Sequence, residues 1–93
     1  MNIKRFEENG KGRFYIEKEG KEAAKIEYTR TDADHITITY TEVDEQMRGE
    51  GVGQQLVEKS VEFAREENLK IDPKCSFAKS VLTSSEEFAD VLQ

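Results

Sequence analysis

The chain has 93 residues, 20 acidic against 14 basic, and a formal charge of −6. That length allows one domain, residues 1–93, around one modest core, and the acidic balance argues against nucleic acid, whose binders gather basic residues on one face. A single cysteine (Cys75) and a single histidine (His35) exclude an internal disulfide and a structural zinc site, which takes about four nitrogen or sulfur ligands.

No apolar run reaches membrane-spanning length and the charged opening MNIKRFEENG is no signal peptide, so a soluble, cytoplasmic protein that avoids membranes is expected. MNIKRFEE reads as a first strand. GRFYIEK then sets Phe14 and Ile16 on one face, and EAAKIEYTR sets Ala24, Ile26 and Tyr28 likewise, with EGK between them as a hairpin turn. In HITITYTEV the alternation points Ile36, Ile38 and Tyr40 inward and Thr37, Thr39 and Thr41 outward. Continued, it would turn Glu42 inward, yet the next apolar residue is Val43. Either a β-bulge lies between Tyr40 and Val43, or the strand stops at Thr41.

Three of the six glycines then fall within five residues, at Gly49, Gly51 and Gly53. At about 100° per residue, Val52, Leu56, Val57, Ser60, Val61, Phe63 and Ala64 gather on one half of the surface that follows. Gln54, Gln55, Glu58, Lys59, Glu62, Arg65 and Glu66 take the other half. This predicts an amphipathic helix over about residues 50–68, with Asn68 as its stop. LKI reads as a short strand reached by a parallel crossover. CSFAKSVL and SSEEFADVL read as two short helices, Ser85 capping the second.

A helix that starts inside a glycine-rich turn offers unpaired N–H groups and the positive end of its dipole, and glycines let an anion come close. Arg48 adds a full charge. The same pattern also suits a plain strand-to-helix turn, and both readings stand at this point. A nucleoside-triphosphate loop would need lysine and a hydroxyl residue where Gln54 and Gln55 stand. The spacing G-x-G-x-G, with three strands already passed, disfavours a dinucleotide fold.

VDEQMRGEGVGQQLVE resembles motif A of the GNAT superfamily, the acyl-CoA-dependent N-acetyltransferases, with Arg48, Gly51 and Gly53 on its Q/R-x-x-G-x-G/A pattern. Pro73, Cys75, Ser76 and Phe77 in KIDPKCSFAK fit the P-x-C-S/P-F/Y signature of the short, stand-alone members. The resemblance implies an α/β (α+β) domain with a mostly antiparallel sheet, one long helix crossing to a short parallel strand, and short C-terminal helices. It implies acetyl-CoA or coenzyme A as cofactor, held by main-chain contacts from Val43, Arg48, Gly49, Gly51, Val52 and Gly53. It also implies transfer of the acetyl group to an amine, with the Val43 N–H polarising the carbonyl.

The resemblance makes Cys75 a candidate catalytic residue, as acyl relay or pocket wall; an opening helix and Lys74 and Lys79 would activate its thiol. The family's second candidate, a histidine in H-T-x-V, is replaced here by Tyr40 in Tyr40-Thr41-Glu42-Val43. With a pKa of about 10, Tyr40 is a poor base but a possible proton donor to the cofactor sulfur. Glu42 and Asp44 read as solvated carboxylates. The chain begins with a strand where larger members have two helices, so an open acceptor side is expected, together with a monomer or weak dimer. A coenzyme A-binding module without turnover is the alternative.

Overall fold

Two reversing turns set the first half of the sheet. Asn9-Gly10 and Glu19-Gly20 both take left-handed backbone angles, with φ of 54° and 78° in the first and 55° and 81° in the second. Two successive positive φ values match the twist of flanking antiparallel strands, so each pair closes a tight hairpin. The computed structural model describes residues 2–93. In it β1 (Lys4–Glu8), β2 (Lys11–Lys18), β3 (Lys21–Asp32) and β4 (His35–Val43) form an antiparallel meander. Helix α1 (Val52–Glu67) then crosses to β5 (Lys70–Pro73), which lies parallel to β4, in the sheet order β1-β2-β3-β4-β5. Helix α2 (Ser76–Leu82) and a 3-10 turn, Glu86–Phe88, follow. The α+β architecture expected from the sequence is thus the one observed.

The helices cover one face of the sheet. Phe14, Ile16, Ala24, Ile26, Tyr28, Ile36, Ile38 and Ile71 are buried beneath Val52, Leu56, Val57, Val61 and Ala64 of α1 and Ala78, Val81 and Leu82 of α2. The predicted apolar arc is the buried one. Ser60, the polar residue in it, is satisfied by donating from its hydroxyl to the Leu56 carbonyl at 3.1 Å. Asn68 ends the helix in the left-handed region (φ 57°), as an αL cap does. On the other face Arg13, Tyr15, Lys25, Glu27, Thr29 and Thr37 are only partly covered, and no described element packs over them.

Two expectations are corrected. The bulge in β4 lies between Ile38 and Tyr40, because Tyr28 pairs with Ile38 and Glu27 with Tyr40, leaving Thr39 as the extra residue. Everything beyond it changes face: Tyr40 is 45% exposed on the open side, while Thr41 and Val43 turn toward the core side. The last segment, expected as a helix, is one 3-10 turn. Ser85 does cap it, accepting from the Glu87 amide at 3.1 Å. The chain does not continue as a helix; Asp90 meets Arg65 through two bonds of 2.9 Å. The final residues instead pair along β5: Ile71 N–H donates to Val91 O at 2.6 Å and Gln93 N–H to Ile71 O at 2.9 Å.

Candidate active site

Strands β4 and β5 run together only as far as Ile38 and Pro73. The next two amides, of Lys74 and Cys75, both donate to the Ile38 carbonyl at 3.0 and 3.1 Å, and the chain then turns into α2. The Thr39 bulge re-aims β4 at the same level. The strands part here, so residues 39–43 of β4 keep β3 on one edge and face an open cleft on the other.

The register shows which way the main chain points. Asp44 N–H donates to Ala23 O at 2.8 Å, while Val43 lies opposite Ala24. That places Val43 and Ala24 in a non-hydrogen-bonded pair, so the N–H and C=O of Val43 turn away from β3 and into the cleft. Arg48 satisfies the carbonyl, its Nε donating to Val43 O at 3.3 Å. The amide is left facing the cleft.

The glycine loop closes one end. A 3-10 turn, Glu45–Met47, anchors it through buried Met47. Gly49 and Gly51 have φ of +86° and +71°, and open space lies where a Cβ would stand at each. Gly51 caps α1 in the left-handed conformation without any side-chain hydrogen bond, and its carbonyl takes the first helical bond from Gln55 N–H at 3.0 Å. Among the described residues the amides of Gly49, Gly51, Val52 and Gly53 have no protein partner. The Arg48 amide differs: it donates to Glu45 O at 3.3 Å.

Gly53 serves a different purpose from its two neighbours. A Cβ there would stand 2.9 Å from Cζ of Phe77 and 3.7 Å from Cγ2 of Val43. The missing side chain lets the Phe77 ring of α2 rest on the first turn of α1, as a partly exposed wall of the cleft. This is a packing role for Gly53, beside the main-chain contact that the resemblance implies for it.

Cys75 opens α2 as its N-cap residue and lies across the cleft from β4. Its Sγ is 3.4 Å from Oγ1 of Thr41. Partial burial pushes the thiol pKa up, but bonds from the Thr41 hydroxyl and from the Ala78, Phe77 and Thr41 amides outweigh it, and the net shift is downward. Lys74 and Lys79, expected to activate the sulfur, are not among the causes. Thr41, expected to face outward, is the residue the sequence reading missed; only the bulge reveals it. Alkylation of Cys75 by iodoacetamide should therefore show a pH midpoint below the ordinary thiol value of about 8.5. Thr41→Val should move that midpoint upward. An unshifted midpoint in the parent would mean the sulfur is not held by these donors.

Tyr40 does not join this group. It lies on the opposite face of the sheet, its hydroxyl donating to Oε2 of Glu42 at 3.1 Å, and that acceptor raises its pKa. Val43, the glycine amides, Arg48 and Cys75 are brought around one cleft; Tyr40 borders it from outside. Among the described residues no group of three or more histidine, cysteine or carboxylate side chains is placed to hold a metal. No helix there is long and apolar enough to cross a membrane.

Comparison with known proteins follows the same lines. A model of the GCN5-related N-acetyl-transferase family matches residues 13–91. The solution structure of a GCN5-like candidate N-acetyltransferase from Staphylococcus aureus is similar at 41% identity, with a TM-score of 0.78 over 99% of this chain and 87% of that one. An aminoglycoside acetyltransferase from an uncultured soil metagenomic sample, in complex with sisomicin, is 17% identical (TM-score 0.68) over 85% of this chain and 61% of its own. Tetrahymena GCN5 is 15% identical (TM-score 0.67) over 83% of this chain and 51% of its own. Those two likenesses are of fold. A search of curated proteins found no match.

Proposed function

The chain belongs to the GCN5-related N-acetyltransferase family, and on that premise we propose that its cleft binds acetyl-CoA and that the acetyl group passes there to an amine. One observation carries this reading. The Val43 N–H turned into the cleft and the unpartnered amides of Gly49, Gly51, Val52 and Gly53 border the same opening. They suit the two polar parts of that molecule, an amide-bearing arm and a diphosphate.

Bound there, acetyl-CoA supplies a thioester, whose C–S bond is exchanged for the C–N bond of an amide while the proton lost by the amine balances the leaving thiolate. The protein's share is placement. The glycine amides and the start of α1 would hold the diphosphate, with Arg48 adding charge at the rim. Main-chain groups of β4 would take the arm as an added strand would. The Val43 N–H is fixed before any ligand arrives, which is what a donor to a developing oxyanion requires. Phe77, resting on the first turn of α1, borders the cleft. Cys75, with a depressed pKa, remains thiolate-prone beside the reacting end, as acyl relay or as wall.

Calorimetric titration with acetyl-CoA, paired with label transfer to a panel of amines, tests this. One equivalent should bind, label should move to an amine, and Arg48→Glu should weaken binding about tenfold, as expected when a charged hydrogen-bonding partner is reversed. Failure to bind acetyl-CoA at millimolar concentration would overturn the proposal. Label retained on the parent protein but not on Cys75→Ala would assign the relay role to the thiol.

A further inference from the structure

The open face of the sheet meets the cleft at Tyr40. Cross-strand pairing sets Glu27 opposite Tyr40, and Lys25 opposite Glu42, on that face. The Lys25 ammonium lies 5.9 Å from the centroid of the Tyr40 ring and 3.2 Å from Oε2 of Glu27. The ring is held in place by its hydroxyl, which donates to Glu42. An aromatic face with two carboxylates at its margin is the chemistry that receives an alkylammonium, and here one is already seated on it. That ammonium sits on a flexible stem.

We infer that Tyr40, Glu27 and Glu42 form an ammonium subsite on the acceptor side of the cleft, which takes the second charged nitrogen of a diamine acceptor. Lys25 is its occupant in the free protein. The inference rests on the acetyl-transfer reading and places Tyr40 in it as a substrate-positioning residue, on the far side of β4 from Cys75. The Thr39 bulge is what makes this arrangement: without the extra residue Tyr40 would point into the core. The ligand's two nitrogens then have distinct fates. One stays protonated against the ring and carboxylates; the other is free to act as the acceptor amine.

The probes are 1,4-diaminobutane and n-butylamine, which share a carbon chain and differ by one ammonium. With the parent protein the diamine should show a kcat/KM about threefold to fivefold higher, the range for one exposed cation–π contact. The advantage should persist in Tyr40→Phe, which keeps the ring. It should vanish in Tyr40→Leu and in Glu42→Gln, with acetyl-CoA affinity unchanged in all three. Lys25→Met, which removes the internal competitor, should lower KM for the diamine.

A Tyr40→Phe variant that loses kcat on both amines would overturn the inference and make the hydroxyl a proton donor. Equal use of both amines by the parent would overturn it as well. If the protein binds acetyl-CoA but turns over neither amine, the Tyr40 ring resonances under diamine titration decide: shifts absent with butylamine support the subsite, and none refutes it. Loss of acetyl-CoA binding itself would instead strike the functional reading beneath it.

Discussion

A Gly12→Ala variant should lose about 2–3 kcal/mol of stability, the upper part of the range for overpacking a core, and melt about 10–20 °C below the parent. An added Cβ at Gly12 would stand 2.4 Å from Cζ and 2.5 Å from the hydroxyl oxygen of Tyr28. That ring has nowhere to go. It packs against Phe14 and Phe63, each about 5.6–5.8 Å away by centroid. Its hydroxyl donates to Glu7 at 2.6 Å and accepts from Arg5 at 2.9 Å, and Arg30 donates to the other Glu7 oxygen at 2.8 Å. Shifting it breaks a buried contact and pulls the hydroxyl out of a four-residue polar cluster. A thermal melt reads the result; an unchanged midpoint would show that the hairpin of β1 and β2 gives way freely.

Gly51→Val should cost about 1–2 kcal/mol of folding stability, the strain of a side chain in the left-handed region, and at least about tenfold in acetyl-CoA affinity. No neighbouring atom lies within 4 Å of the new Cβ, so there is no internal clash to blame. The two methyls would instead stand in the space before the free amides of the α1 terminus. Calorimetry on protein shown folded by circular dichroism separates the two effects. Gly49→Val, also at positive φ with open space, should behave alike. Gly53→Val should differ, because its damage is displacement of Phe77. Parent-like binding by Gly51→Val would show that the ligand does not sit at this loop.

The helix and the glycine loop were legible because both write their geometry in residue type. An apolar arc has to face a core, and left-handed turns draw glycine. The face of Tyr40 was not legible. Ile36 to Thr41 alternates without a flaw, and a bulge at Thr39 is decided by the partner strand, where Glu27 and Tyr28 claim Tyr40 and Ile38. The orientation of the Val43 N–H depends on that same register. The last helix failed for a similar reason: SSEEFADVL has helical spacing, but its end pairs with Ile71 of β5, a partner distant in the chain. Gly12 carried no signal by itself, since its purpose is visible only once Tyr28 lies across it.

The parting of β4 and β5 has a final consequence, for the thermodynamics of recognition. A seam held shut by ladder bonds would have to be unzipped before anything could enter, and that work would come out of the binding free energy. Here the turn of the chain at Lys74 and Cys75, whose amides both end on the Ile38 carbonyl, and the surplus residue Thr39 leave the seam parted in the resting state. A ligand arrives at a docking edge already presented, so association should proceed without a slow opening phase and show a single rate that rises linearly with ligand concentration.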